Sequence, residues 1–193
     1  MMTFLGQLAL KTLTAPRDVA ALLLSLNFSR DAVYTTLGLA VVLNAFVAGL
    51  VLLATGTQAL PLALGPGLLA GVFALLLAAL IGAITVIGRA MGGRATAMNV
   101  ALLIAWVQIL RAGLQFAVLV LGFVSGGMGA VLAIAGVIVG AWVLVHFIDV
   151  AHGFGDPWKA AMVLIFSFVL TALALVAVLA GFDITPQMVA NDV

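Results

Sequence analysis

Five apolar stretches, each long enough to cross a lipid bilayer, constrain this chain more than any other feature. A membrane-spanning helix needs about 20 mainly apolar residues to cross roughly 30 Å of hydrocarbon. Breaks rich in glycine and proline separate the stretches, which run over about residues 32–54, 67–88, 97–121, 128–150 and 158–181. We therefore predict an all-α membrane protein with five transmembrane helices.

The charge content excludes a soluble domain. Charged residues make up 7% of the chain, against roughly 25% in a typical soluble domain. The formal net charge of +1 argues against a nucleic-acid partner, which needs a dense cationic face. The chain has no cysteine, which removes disulfides, thiolate metal sites and iron–sulfur clusters. We expect no cofactor, no metal and no catalytic residue.

The predicted organisation is one membrane domain with short ends. Residues 1–30 are expected to form one or two short helices in the cytoplasmic interface, with Lys11 and Arg17 toward anionic head groups. A plain helical lead-in to the first span is the alternative. Residues 31–182 form the five-span domain, and residues 183–193 form an extracytoplasmic tail.

The positions of Lys and Arg set the expected orientation, because cytoplasmic loops carry an excess of both. The N-terminal region holds three, the 89–96 connection two and the 151–159 connection one. The 55–66 and 122–127 loops and the C-terminal tail hold none. We expect a multi-pass protein of the bacterial inner membrane with a cytoplasmic N-terminus and a periplasmic C-terminus.

Two predicted spans carry small residues at helical spacing, which lets helices approach closely in a membrane. In the second span they are Gly67, Gly71, Ala74, Ala78 and Gly82, and in the fourth they are Gly129, Ala133, Gly136 and Gly140. Both stripes are interpreted as internal packing surfaces, with self-association left open.

Arg111 is the one cation inside a predicted span. It lies about fourteen residues past the start of the third span, roughly 21 Å deep, and Gln108 and Gln115 share its helix face. Asn44 and Thr171 lie at similar depth in the first and fifth spans. We predict that the five residues form one polar layer inside the bundle that contacts a lipid, an anion or a partner. A guanidinium that snorkels outward, or is satisfied by the amides, is the alternative.

A second cluster is predicted on the cytoplasmic face, at the end of the fourth span. His146 and Asp149 share a helix face, and His152 follows three residues later. A carboxylate can orient an imidazole in a metal site, but a third ligand is lacking, so no metal is predicted. We expect interfacial hydrogen bonds and contacts with the nearby cations, which are Arg89, Arg94 and Lys159.

Several short motifs keep a fixed order along the chain. They are Ala15-Pro16-Arg17 before the first span, Gly88-Arg89 and Gly92-Gly93 after the second, Trp106 and Gln108 in the third, and Trp142, Phe147 and His152-Gly153-Phe154 at the end of the fourth. Together they resemble the bacterial branch of the Yip1-domain proteins over most of the chain. The resemblance implies five spans, a cytoplasmic N-terminus and a non-enzymatic protein that acts through contacts.

The resemblance does not extend to every property of the family. Its eukaryotic members act in Golgi and endoplasmic-reticulum traffic and associate with small GTPases through a longer polar cytoplasmic arm. Here only about thirty residues precede the first span, so GTPase binding is not carried over.

These observations predict an accessory or scaffold subunit that contacts partner membrane proteins or lipid. The expected partners are the bilayer, with anionic lipids at the cytoplasmic face, and other membrane proteins or a second copy of the chain. One alternative is a small transporter or channel for an anion or a lipid that uses the Arg111 layer. Another is a membrane-embedded enzyme or redox subunit centred on His146, Asp149 and His152.

Overall fold

Seven α-helices make up the computed structural model, which describes residues 2–55 and 66–181. They are α1 (Met2–Thr14), α2 (Pro16–Ser25), α3 (Arg30–Thr55), α4 (Pro66–Ala90), α5 (Ala97–Val124), α6 (Gly126–His152) and α7 (Pro157–Gly181). The described residues contain no strand. Five helices, α3 to α7, are long and apolar enough to cross a membrane. The predicted all-α fold with five membrane-spanning helices is confirmed.

The connection between α5 and α6 is shorter than the sequence suggested. The prediction placed a loop over residues 122–127, whereas Ser125 alone separates the two helices. Its extended backbone (φ −158°, ψ 117°) ends α5 and begins α6. Both helices continue as far as Ser125 because their glycines let the two backbones approach closely. A Cβ on Gly129 would lie only 3.0 Å from the Cα of Gly122. The predicted 55–66 loop and C-terminal tail fall almost entirely outside the described residues.

The five long helices form a closed ring in the order α3, α5, α6, α7, α4, because each contacts the next and α4 contacts α3 again. Helix α4 also contacts α5 and α6, so its inner face occupies the middle of the ring. The short helices α1 and α2 pack against α6, and α2 also packs against α5. We call the end of the bundle that holds α1, α2 and the connections 91–96 and 153–156 the charged end.

All six cations other than Arg111 lie at the charged end, on the short helices, at helix ends or in the connections. The buried core is also concentrated toward this end. One cluster joins α4, α5, α6 and α7 through Ile84, Ile104, Ile148 and Val163, among others. A second cluster joins α1 and α2 to α5 and α6.

Of the two small-residue stripes, the one on α6 packs inside the bundle at Gly129 and Gly136, whereas Gly140 has nothing within 4 Å of an added Cβ. A Cβ on Gly136 would strike the side chain of Leu114 on α5, and Gly129 meets the backbone of Gly122. On the α4 stripe, Gly71 and Gly82 have nothing within 4 Å of an added Cβ. The internal packing predicted for α4 is therefore not seen at these glycines.

Candidate functional site

The charged end is built around His152, the last residue of α6. Its side chain is buried (1% exposed), and its ring stacks on Phe154 with centroids 5.1 Å apart and planes 6° apart. Its Nδ1 atom is 3.1 Å from the carbonyl oxygen of Ile148, one turn earlier. A Cβ on either Gly88 or Gly93 would overlap the imidazole. Both positions therefore need glycine so that the connection can close over the ring.

Backbone hydrogen bonds hold this connection in place. The Gly93 N–H donates to the Gly88 carbonyl oxygen (2.8 Å), and the Arg94 N–H donates to the His152 carbonyl oxygen (3.1 Å). The Arg89 Nε–H donates to the carbonyl oxygen of Ala95 at 2.9 Å. The predicted cluster residues Arg89, Arg94 and His152 therefore come together, through backbone groups and packing.

Asp149 is the anionic centre of the charged end. Its carboxylate is 3% exposed and pairs with the guanidinium of Arg17 at the start of α2. It also accepts a hydrogen bond from the backbone N–H of Asp156 at 3.0 Å. A carboxylate near a helix C-terminus is disfavoured by the helix dipole, and a buried one needs a cation or hydrogen-bond donors. Arg17 and Asp156 meet that need and join α2 to the ends of α6 and α7.

The position of Arg17 contradicts two predictions made from the sequence. It was expected to point toward lipid head groups, and Asp149 was expected to contact Arg89, Arg94 or Lys159. The pairing with Arg17 is favoured because Pro16 begins α2 beside the end of α6, where the apolar face of α2 is buried. A buried Asp at a helix C-terminus was the available signal that a cation must approach.

His146 does not join this centre. Its Nδ1 atom is 2.8 Å from the carbonyl oxygen of Trp142 on its own helix, and its ring lies 4.8 Å from the Trp142 ring. The carboxylate of Asp149 is taken by other partners, so the predicted pairing of His146 and Asp149 is not seen. Within residues 2–55 and 66–181, no three His or acidic side chains lie close enough to hold a metal ion.

The predicted polar layer is only partly assembled. Asn44 is buried (6% exposed), and its Nδ2–H group donates to the backbone oxygens of Ala40 (2.8 Å) and Gln108 (3.1 Å). Thr171 instead donates to the Ser167 oxygen on its own helix (2.8 Å) and lines an apolar groove of about 310 Å³ between α4 and α7.

The expectation of a single layer was wrong because equal depth does not make helices neighbours. Helix α3 contacts α5, which brings Asn44 to Gln108. Helix α7 lies between α6 and α4 in the ring, away from this contact. Whether any of these five residues binds a ligand or partner stays a prediction.

Arg111 is in the middle of α5 and is exposed. It is the fifteenth of the 28 residues of the helix. No hydrogen bond or ion pair joins its guanidinium to another side chain in the described part of the chain. The acidic residues of that part, Asp18, Asp31, Asp149 and Asp156, all lie at the charged end. The alternative in which the amides satisfy Arg111 is therefore not seen.

The chain matches the model of one known protein family. The model of the Yip1 domain matches residues 10–179, which include the end of α1, all of α2 to α6 and most of α7. The chain belongs to the Yip1 domain family. No curated protein and no solved structure matches it. The Yip1 domain is a family of multi-pass, non-catalytic membrane proteins.

The motifs that carried the resemblance to the Yip1 domain are concentrated at the charged end. Gly88, Gly93 and Phe154 enclose His152, and Trp106 donates its Nε1–H to the hydroxyl of Thr12 on α1 at 3.1 Å. In this Yip1 domain these residues position the short helices and connections against the bundle. Packing and hydrogen bonding explain the spacing of these motif residues along the chain.

Proposed function

We propose that this protein is a non-enzymatic accessory or scaffold protein of the bacterial inner membrane that contacts partner membrane proteins or lipid. The observation that carries the proposal is the outer surface of α1 and α2. These helices are fixed to the bundle by one face and expose large apolar side chains on the other.

The inner face of α1 and α2 is held by several kinds of contact. Leu8, Val19 and Leu23 are buried against a group of α5 and α6 side chains, which are Leu103, Val143 and Phe147. The ion pair of Arg17 with Asp149 and the Trp106–Thr12 hydrogen bond add directional contacts. The position of the short helices on the bundle is therefore specified.

The outer face is apolar as well. Leu10 is 66% exposed, and the other exposed apolar side chains are Leu5, Leu13, Leu22 and Leu26. Lys11 lies among them and pairs with Asp18 at 3.7 Å. A short helix with exposed apolar side chains beside a cation is typical of a segment that lies in the membrane interface. This surface supports contact with lipid head groups or with a partner at the same level.

The cations support the orientation that the proposal needs. Six of the seven Lys and Arg residues lie at the charged end, and such an excess is typical of the cytoplasmic side. We therefore place α1 and α2 at the cytoplasmic surface, with the N-terminus in the cytoplasm and the C-terminus in the periplasm.

Purification of the tagged full chain from its native membrane in mild detergent tests the proposal. We expect specific proteins or anionic lipids to accompany the wild type and to be lost from the Leu10→Ser/Leu13→Ser variant. The matched control is Phe123→Ser/Val124→Ser, which removes two exposed apolar side chains from the end of α5 that lies away from the charged end. Identical co-purifying species in all three preparations would contradict the proposal.

One observation favours the second candidate, a small transporter or channel for an anion or a lipid. Arg111 is exposed, although it shares a face of α5 with the buried Ile104, seven residues earlier. A transport path must also reach the charged end, where Ile104 and Ile84 are buried in the core. The described conformation is closed there, so we prefer the accessory role. Flux that disappears in an Arg111→Leu variant would support transport.

A further inference from the structure

Arg111 lies on the inward face of α5. Ile104, seven residues or about two turns earlier, shares this face and is buried against side chains of α4, α6 and α7. Val120, nine residues or about two and a half turns later, is on the opposite face and is exposed, as is Phe116. The outward side of α5 is therefore the side of Phe116 and Val120, and Arg111 faces the middle of the ring.

The seams beside Arg111 are closed. On one side, Asn44 of α3 donates a hydrogen bond to the backbone of Gln108, and Ala112 is buried (3% exposed). On the other side, Leu114 packs against the position of Gly136 on α6. The ring is closed at the level of Ile104, whereas the Arg111 side chain, between these two seams, is exposed.

The polar side chains at this level lie on one stripe of α5. Gln108 and Gln115 are one turn before and one turn after Arg111. The Gln108 Oε1 atom is buried and accepts no hydrogen bond from the described residues. A buried carbonyl oxygen without a donor is costly, and so is an arginine without a counterion at this depth. Within residues 2–55 and 66–181, therefore, no anion pairs with Arg111 and no donor reaches the Gln108 Oε1 atom.

We propose that Arg111, Gln108 and Gln115 form a binding site for a phosphate group that carries a hydrogen-bond donor. The planar guanidinium matches two oxygens of a phosphate, and the Oε1 atom of Gln108 accepts the donor. A phosphatidylglycerol hydroxyl, a phosphatidylethanolamine ammonium and the O–H group of hydrogen phosphate supply such a donor. Phosphatidylcholine has none in its head group.

This site is independent of the outer surface of α1 and α2. Those helices contact the bundle at the charged end, whereas Arg111 is about 21 Å along α5 from its first residue. The Leu10→Ser/Leu13→Ser variant should therefore bind phosphate as the wild type does. Failure of either proposal leaves the other standing.

The test uses the full chain purified in detergent, with phosphatidylglycerol, phosphatidylcholine and inorganic phosphate as probes. Native mass spectrometry counts the retained lipids, and the shift of the thermal midpoint measures the effect of phosphate. We expect the wild type to retain phosphatidylglycerol, or to be stabilised by phosphate, at least about tenfold more strongly than Arg111→Leu. Gln108→Leu should prefer phosphatidylglycerol to phosphatidylcholine less strongly than the wild type does, because the acceptor for the donor group is gone while the difference in net charge between the two lipids remains.

The control is Arg30→Leu, which removes the same charge from an exposed position at the charged end and should behave as the wild type. Arg111→Lys keeps the positive charge and loses the planar guanidinium, so it should bind phosphate more weakly than the wild type does. This variant serves as a second test in case Arg111→Leu does not fold. Retention of phosphatidylglycerol alone identifies a lipid head group, and stabilisation by inorganic phosphate alone identifies the free anion. Equal behaviour of the wild type and Arg111→Leu with every probe overturns the proposal. A partner protein's carboxylate found at Arg111 in place of phosphate also overturns it.

Discussion

The charged end and the middle of the bundle differ in how their charged side chains are paired. At the charged end, Asp149 has both a cation and a backbone donor, and His152 is enclosed by glycines and stacked on Phe154. In the middle, Arg111 is exposed and the Gln108 Oε1 atom has no partner among the described residues. The His152 Nε2 atom is likewise buried without a hydrogen-bond partner among the described residues. The contrast therefore lies in the charged groups: Asp149 is paired and joins helices, whereas Arg111 has no ion-pair partner in the described part of the chain.

The largest expected effect comes from breaking the enclosure of His152. A Gly88→Ala substitution places a Cβ where the buried imidazole now lies. Because Gly93 and Phe154 confine the ring on other sides, we expect the free energy of unfolding to fall by about 3 kcal/mol, the upper range for overpacked cores. Thermal or denaturant unfolding in detergent measures it.

A matched control separates this clash from the general effect of alanine in a helix. Gly140→Ala on α6 meets nothing within 4 Å and should leave stability unchanged or slightly raised. The double variant Gly88→Ala/His152→Ala should recover part of the loss, because the ring that clashes has been removed. Equal stability of the Gly88→Ala and Gly140→Ala variants would show that the enclosure is loose.

The next largest effect is expected from Arg17→Gln, which leaves Asp149 buried without its cation. Breaking a buried ion pair costs roughly 3–5 kcal/mol, but Arg17 is 48% exposed, so we expect about 2 kcal/mol. Faster hydrogen exchange or proteolysis in α1 and α2 should accompany the loss, because this pair fixes α2 to α6.

Lys11→Gln is the counterpart of that variant. The pair of Lys11 with Asp18 spans 3.7 Å, with both side chains more than half exposed, and such pairs contribute roughly 0–1 kcal/mol. Its effect should fall well below that of Arg17→Gln. If the two variants behave alike, the burial of Asp149 has no energetic consequence and the contrast between the two regions is weaker than the structure indicates.

Hydropathy and helix length predicted the five spans because both are local properties of the chain. The neighbours of each helix are not local. Arg17 pairs with a residue 132 positions away, and no nearby residue identifies that partner. Thr171 matched Asn44 and Arg111 in depth, yet the ring order places α7 away from α3 and α5. Depth could be counted along the sequence, whereas the partner across the bundle required the fold.

The prediction of a loop over residues 122–127 was wrong for a related reason. A Ser-Gly-Gly run usually indicates a loop, and the sequence gives no sign that the glycines serve a helix–helix contact. Gly129 lies against the Gly122 backbone only after α5 and α6 have packed together. The same residues therefore predicted a loop from local pattern and formed helix ends through tertiary contact.

Asn44→Leu should have a smaller effect than Gly88→Ala and Arg17→Gln, and it tests the middle of the bundle directly. The substitution removes the hydrogen bond to the Gln108 carbonyl oxygen (3.1 Å) and keeps an apolar side chain of similar size. Interhelical hydrogen bonds in membranes average roughly 0.6 kcal/mol and reach about 1.7, so we expect a loss of about 1 kcal/mol. Thr36→Val, whose hydroxyl donates only to Ala32 of its own helix (2.7 Å), is the control and should change little.

The result also bears on the site proposed at Arg111, because Asn44 joins α3 to α5 at Gln108. A loss of about 1 kcal/mol with unchanged phosphate binding means that packing at Ala112 and its neighbours closes the seam without the bond. Weaker phosphate binding in Asn44→Leu would mean that this bond positions Gln108, whose backbone accepts it and whose side chain lines the site. A loss as large as that of Arg17→Gln would contradict the comparison itself, since the middle of the bundle would then be as tightly specified as the charged end.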